Sequence, residues 1–394
     1  MKLFLLLAGL VAQVIPGLWF NPEPVEYRGL TEGDAINFSI PVDGKLPAGT
    51  YVQFGITLEN NGDKAPRYYM VEVQQGRRWE NVSTPVHSDG LASYSFFTVP
   101  ASQSHPTSYL NIFRLGQAVR DTLRVRCRVC SPYTSDKDRL SADDPANSVS
   151  IRSRHYVGAR LNPLGRKAPS SRRKVLMLGN SFTYFYSVPL MLQEIAFSQG
   201  MLLDINASLK GGQTFRQHTG LTMSLVQCSL EDYDYAFFQG QSQEPARYAS
   251  DMDAMRDVKL ALLDLCEALR STSPGCWVFV ENTWAYGSGD CGGFGSLENF
   301  DSLLAEGTRL LSTACHGEII PVGQAFAAVR ADGSPVQLLG DDDKHQSLAG
   351  SYLKACIEYL ILSGKPFSGD VPCCGLSESD ASYLRQIAEK TVLK

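Results

Sequence analysis

The stretch Lys174-Val-Leu-Met-Leu-Gly-Asn-Ser-Phe-Thr183 decides the fold. An unbroken apolar run, Val175 to Leu178, stops at a glycine and an Asn-Ser pair, which reads as a short strand buried on both faces and closed by a tight turn. Strands without polar alternation belong to parallel sheets covered by helices on both sides. The sequence that follows agrees. A helical pattern runs from about Ser187 to Gly200, Leu202 to Leu209 makes a second strand, and Tyr235-Ala-Phe-Phe238 a third. Between about Ser250 and Arg270, Met255, Val258, Leu262, Leu265 and Leu269 recur at steps of three and four, the spacing of one helical face. Cys276-Trp-Val-Phe-Val280 is a fourth strand, Leu303 to Cys315 a helix, and Ile319-Ile-Pro-Val322 a fifth strand. A last helix from near Ser347 carries Leu348, Tyr352, Cys356, Leu360 and Ile361. This alternation predicts an α/β domain with a parallel sheet over 174–394.

Upstream the pattern changes. Between Pro22 and Val157, short alternating runs such as Ala35-Ile-Asn-Phe-Ser-Ile40, Tyr68-Tyr-Met-Val-Glu-Val73 and Thr122-Leu-Arg-Val-Arg-Cys-Arg-Val129 are separated by Gly and Asn turns. They predict an all-β sandwich as an accessory domain over about 21–160. Leu161 to Arg173, rich in Pro, Gly, Ser and basic residues, reads as a linker. Met1-Lys2 and the apolar run Leu3 to Ala12 are too short for a bilayer span of about 20 residues. They read as a secretory signal peptide over 1–20, which predicts a secreted or periplasmic protein. No later apolar run is long enough for a membrane span.

Among 394 residues, 36 basic and 41 acidic side chains leave a net charge of −5, which argues against nucleic acid as a partner. Ten cysteines are too few in a chain of this length to imply a disulfide scaffold. Cys127 and Cys130, three apart in an alternating run, fall on opposite strand faces.

Chemistry is sought where the strands of an open α/β sheet end. Ser181, directly after the first strand, is either a nucleophile in need of a histidine base or a helix cap. Gly211-Gly212 after the second strand permits close approach of a ligand to backbone. Gln239-Gly-Gln-Ser242 after the third presents an amide and N–H groups suited to a developing oxyanion, or is simply a turn. In Asp341-Asp-Asp-Lys-His-Gln-Ser347, Asp342 precedes His345 by three. One turn can then bring its carboxylate to imidazole Nδ1 and leave Nε2 facing a serine. Asp341 or Asp343 takes that place if the turn shifts by one residue. Trp284 and Tyr286 follow the fourth strand, placed either to stack on a sugar ring or to pack beneath their loop.

Together the four blocks resemble those of the SGNH (GDSL-like) hydrolase superfamily, over about Lys174 to Gly364. The resemblance implies a three-layer flavodoxin-like domain with Ser181 as nucleophile, His345 as general base and then acid, and Asp342 orienting His345. It implies an oxyanion hole of the Ser181 and Gly212 N–H groups, with Gly211 as alternative, and a side-chain donor. The third block departs from the usual Gly-x-Asn-Asp and looks more like the Gln-Gly-Glu-Ser of sialate and xylan O-acetylesterases. That points to Gln239 as the donor, with Gln241 and Ser242 open. The chemistry implied is ester hydrolysis through an acyl-enzyme, with no metal or organic cofactor needed. An exported esterase with an appended sandwich is similar to bacterial carbohydrate acetylesterases, which implies an acetylated oligosaccharide or polysaccharide as substrate, with Trp284 and Tyr286 against the sugar. The rival expectations are a lipase or acylhydrolase with the same triad and a non-catalytic glycan-binding protein on a hydrolase fold.

Overall fold

A computed structural model describes residues 26–27, 33–60, 67–82, 95–97, 107–130, 151–152, 160–165, 169–209, 211–230, 232–287 and 290–393. The expected signal segment lies outside the described residues. Alternation builds the N-terminal part. Its strands are β1 (Glu26–Tyr27), β2 (Ala35–Leu46), β3 (Tyr51–Asn60), β4 (Arg67–Gln75), β5 (Arg78–Asn81), β6 (Ser95–Phe97), β7 (Thr107–Arg114), β8 (Val119–Cys130), β9 (Ile151–Arg152) and β10 (Arg160–Gly165). One antiparallel sheet has the order β1-β9-β3-β10, with β7 also on β3; the other runs β2-β8-β4-β5, with β6 on β4. Ile36 and Ile40 of β2, Val71 and Val73 of β4, and Leu123, Val125 and Cys127 of β8 are buried at every second position, together with Val52 and Phe54 of β3. Phe38 meets Phe54 edge-on across the two sheets, at 5.8 Å between ring centres. This is the expected sandwich.

The expected linker is corrected. Arg160–Gly165 is a strand paired antiparallel with β3, and the next strand already begins at Ser171. Pro163 is tolerated because β10 lies at the end of its sheet order, where a missing N–H breaks no ladder. The basic character at 172 is that of a strand residue with a partner, since Arg172 Nε lies 2.5 Å from Asp204 Oδ2.

The second part contains β11 (Ser171–Gly179), α1 (Ser181–Tyr184), α2 (Val188–Ser198), β12 (Met201–Leu209), α3 (Phe215–Thr219), α4 (Thr222–Leu230), β13 (Tyr235–Phe238), α5 (Glu244–Ser250), α6 (Arg256–Arg270), β14 (Trp277–Glu281), α7 (Leu297–Ala314), β15 (Glu318–Ile320), α8 (Val322–Ala331), α9 (Leu348–Ser363) and α10 (Glu378–Val392). The strands are all parallel in the order β12-β11-β13-β14-β15, the flavodoxin-like arrangement. Side chains alternate between two cores. Val175, Met177, Phe237 and Phe279 pack with α2, α8, α9 and α10, whereas Leu176, Leu178, Ala236, Phe238, Val278 and Val280 pack with α6 and its neighbours. Three layers result, as expected. The helix expected from Ser250 starts at Arg256; Glu244–Ser250 is a separate helix after the third strand. Tyr51 and Ile112 of the sandwich pack against Phe197 of α2 and Leu202 of β12.

The topology locates the site. From β11 the chain steps first to β12 on one side and later to β13 on the other, so Ser181 leaves the sheet at its switch point. Register places Leu178 beside Phe238 and Phe238 beside Val280, so the turns after β11, β13 and β14 emerge side by side. Among the described residues, nine cysteines are unbridged, and no helix is long and apolar enough to cross a membrane.

Helix α7 crosses α5 at Gly307, where an added Cβ would lie 1.8 Å from the Pro245 carbonyl oxygen. Gly307→Ala therefore overpacks this crossing and lowers stability by about 1–3 kcal/mol. A thermal melt reads this as a lower Tm, and an unchanged Tm refutes the close approach.

Candidate active site

Helix α1 is a single turn whose start is capped by Asn180. The Asn180 Oδ1 accepts the Phe182 N–H at 3.1 Å, and its main-chain oxygen accepts the N–H groups of Thr183 and Tyr184. Capping thus falls to Asn180, and the Ser181 hydroxyl is left for another partner. That partner is His345, whose Nε2 lies 2.8 Å from Ser181 Oγ. On the other side of the ring, Nδ1 lies 2.5 Å from Asp342 Oδ2. With Nδ1–H donated to the carboxylate, Nε2 is the lone-pair nitrogen facing the hydroxyl.

The segment that carries Asp342 and His345 is tied at both ends. The Gly340 N–H donates to the His345 carbonyl at 2.8 Å, the Ser347 N–H donates to the Leu338 carbonyl at 2.8 Å, and Leu339 bridges Gln346. Asp342 Oδ1 accepts the N–H groups of Lys344 and His345, at 3.2 and 2.9 Å. Asp343 takes φ +54°, and its carbonyl accepts the Gly287 N–H at 2.9 Å and so joins the turn to the loop after β14. Gln346 Nε2 donates to the Ser181 carbonyl at 3.2 Å. Phe182 meets the His345 ring edge-on and Phe185 covers it at 4.4 Å. Burial acts to raise the Asp342 carboxyl, but the hydrogen bonds from the His345 ring and from the His345 and Lys344 N–H groups hold it below the ordinary carboxylate range.

The residues expected to shape the pocket behave differently. Gln239 is corrected: its amide points inward and is spent on the turn behind Ser181. Oε1 accepts the Asn180 N–H at 3.0 Å and the Thr183 hydroxyl at 3.1 Å, while Nε2 donates to Asn180 Oδ1 at 3.0 Å and to the Gly240 carbonyl. Ser242 is buried and shares a 2.8 Å hydrogen bond with the Tyr286 hydroxyl. Gln241 is half-buried; its Oε1 accepts the Gln243 N–H and its Nε2 donates to Ser242 Oγ. Gly212 takes φ +67° in its turn, a conformation open to glycine without strain. Trp284 and Tyr286 are also corrected. Trp284 has no exposed surface, being stacked between Phe182 and Phe326 at 4.2 and 4.4 Å with its Nε1 donating to the Lys344 carbonyl. Tyr286 is buried edge-on against Phe182 and Phe300. Both support the loop from beneath, because each has aromatic partners inside the domain that a sugar cannot displace.

Two residues that hold the site were missed by sequence reasoning. Asn180 Nδ2 donates to the carbonyls of Gln213 and Gly240, at 3.1 and 2.9 Å, which fastens the turns after β12 and β13 beside Ser181. Its place before a helix was the available signal. Glu244 Oε2 accepts the N–H groups of Gln241 and Phe215, at 2.6 and 3.2 Å, and burial pushes its carboxyl up to about 7 despite these bonds. A second Ser–His contact, Ser224 with His218 at 2.7 Å, is wholly buried and faces no substrate. Among the described residues no three His, Cys, Asp or Glu side chains gather as a metal site requires.

No protein-family model and no curated protein matches the sequence. In fold the chain is similar to several solved structures. A protein of a domain family of unknown function from Bacteroides uniformis is 19% identical over 56% of this chain and 95% of its own, with a TM-score of 0.48. A proposed SGNH hydrolase from Slackia heliotrinireducens is 23% identical over 50% of this chain and 100% of its own, with a TM-score of 0.40. A variant of an acetyl-xylooligosaccharide esterase from Geobacillus stearothermophilus is 12% identical over 52% and 99%, with a TM-score of 0.37. All three scores lie below 0.5, and the functional reading rests on the geometry of this chain.

Two outcomes follow from the inward-facing groups. Gln239→Ala lowers stability by about 1–3 kcal/mol, since buried partners lose their bonds. A melt separates this from a pure oxyanion role, which leaves Tm in place. The folded protein holds the Glu244 proton to higher pH than the unfolded chain does. Stability tied to Glu244 is therefore complete below about 4.5 and is lost as pH climbs toward about 7. Urea unfolding at pH 5 and pH 8 should show a smaller decline in Glu244→Gln than in wild type, and an equal decline contradicts this.

Proposed function

We propose that the protein is a serine hydrolase of carboxylic esters that uses Ser181, His345 and Asp342, and that it removes O-acetyl groups from oligosaccharides or polysaccharides in a secreted or periplasmic setting. The observation that carries the reading is the pair of contacts on one imidazole, 2.8 Å from Nε2 to Ser181 Oγ and 2.5 Å from Nδ1 to Asp342 Oδ2.

In this reading Ser181 Oγ attacks the ester carbonyl as its proton passes to His345 Nε2. The imidazolium so formed is steadied by Asp342, whose carboxylate stays ionised under the hydrogen bonds described above. The tetrahedral oxyanion faces the N–H groups of Ser181 and Gly212, two donors on turns fastened together by Asn180. Gln241 is the remaining candidate for a side-chain donor: Gln239 gives both Nε2 hydrogens, to Asn180 and Gly240, and Ser242 is bonded to Tyr286, whereas Gln241 Nε2 gives one hydrogen to Ser242 Oγ and has a second. Collapse breaks the bond to the sugar oxygen, which takes the proton from Nε2 and departs as the hydroxyl, and leaves acetyl-Ser181. Water then gives a proton to Nε2, attacks the acyl carbon and releases acetate, and the proton returns to Ser181. The acetyl and carbohydrate parts of the reading are supported by the likeness of the Gln239-Gly-Gln-Ser242 block to sialate and xylan O-acetylesterases, and by the likeness of an exported esterase with an appended sandwich to carbohydrate acetylesterases. The sandwich is proposed as an accessory domain, and the N-terminal apolar run as the export signal.

Release of p-nitrophenol from its acetate ester tests the triad. Ser181→Ala and His345→Ala should each lose at least about 10³-fold in kcat. Asp342→Asn should lose less than is usual for a buried orienting acid, because the Asp342 side chain is 52% exposed and water shares its work. Equal rates in wild type, Ser181→Ala and His345→Ala rule out the triad and favour a binding protein. Rates that rise with acyl length favour a lipase, and a panel of acetylated glycans with acetate detection then decides the sugar.

A further inference from the structure

We infer that Lys354, fully buried in α9, is a positioning residue for the nucleophile, because its ammonium sets the direction of the hydrogen-bond chain that fixes the Ser181 turn. The inference rests on the hydrolase reading above.

Lys354 Nζ donates to the Phe182 carbonyl at 3.0 Å, to Thr183 Oγ1 at 2.9 Å and to Glu281 Oε2 at 2.6 Å. Its three hydrogens are thus used on α1 and on the end of β14. An ammonium donates and never accepts. The Thr183 hydroxyl therefore accepts from Lys354 and must send its own hydrogen onward, to Gln239 Oε1 at 3.1 Å. That oxygen also accepts the Asn180 N–H, so the other end of the amide, Nε2, is turned to Asn180 Oδ1. Asn180 is in turn left with Nδ2 facing the carbonyls of Gln213 and Gly240. One cation thereby orients two amides, and the second of them fastens the turns on either side of Ser181. Gly179 leaves room for the chain, since a Cβ there would lie 2.9 Å from both Gln239 Oε1 and Thr183 Oγ1. Charge is balanced within the same pocket by Glu281; one turn along α9, at 3.9 Å, the Glu358 carboxyl is pushed up to about 8 by burial and so stays mostly protonated at neutral pH.

A buried ion pair can also be merely structural, and two variants separate the cases. Lys354→Met alone strands the Glu281 carboxylate without its cation, so it is compared with Lys354→Met/Glu281→Gln, in which both charges are gone. Assayed as full chains on p-nitrophenyl acetate, the double variant is expected to melt close to wild type and to keep KM within about twofold. Its kcat should remain roughly 10–100-fold down. Thr183→Val, which keeps the Lys354–Glu281 pair but cuts the chain, should lose about tenfold in kcat at unchanged KM. Recovery of wild-type kcat together with Tm in the double variant, or wild-type kcat in Thr183→Val, overturns the inference and leaves the hydrolase reading standing. Turnover that survives Ser181→Ala overturns both.

Discussion

The amide of Asn180 holds three strand ends together at the carboxyl edge of the parallel sheet. It offers two hydrogens and one oxygen with two lone pairs, and each of these four sites has a partner. The group is buried, so every one of those bonds forms where water cannot replace it. The parallel register makes this economy available, since β11 and β13 end at the same level and β12 returns its turn to the same side. Ser181 benefits without taking part. Its backbone is located by the residue before it, while its hydroxyl keeps a single demanding partner, His345.

How much of this was legible depends on the range over which each feature is decided. The run Val175 to Leu178 showed a strand buried on both faces, and its side chains do divide between two cores. The pairing of Asp342 with His345 was legible because it is made within one turn, by residues three apart. The direction of Gln239 was not. Whether an amide at a strand end faces the substrate or the interior is settled by Asn180 and Thr183, which lie 59 and 56 positions away. Trp284 and Tyr286 failed for a related reason. An aromatic residue after a strand looks the same in sequence whether it meets a ligand or, as here, rings from α1, α7 and α8. The proline and glycine of β10 resembled a linker because composition does not reveal that a strand sits at a sheet edge.

The polar groups around the site divide by environment. Behind Ser181 the Asn180 and Gln239 amides, the Thr183 hydroxyl and Glu244 are buried and hydrogen-bonded, which makes that wall rigid. In front, Asp342 is half in water. Its hold on His345 is therefore chiefly geometric, through the ring hydrogen bond and two main-chain N–H groups, with the charge itself weakened by solvent. Rigidity is concentrated on the nucleophile side, and the base side keeps access to bulk solvent.

The hydrogen bond between Ser181 and His345 spans 164 residues of chain. Closing so long a loop is entropically expensive, and it is recouped only when the intervening strands and helices have already docked. Nucleophile and base therefore come together as a late event of folding, after the sheet has been laid down from β11 to β15. A chain still emerging from the ribosome, or one cut short before His345, would possess Ser181 but lack the base that makes the hydroxyl reactive.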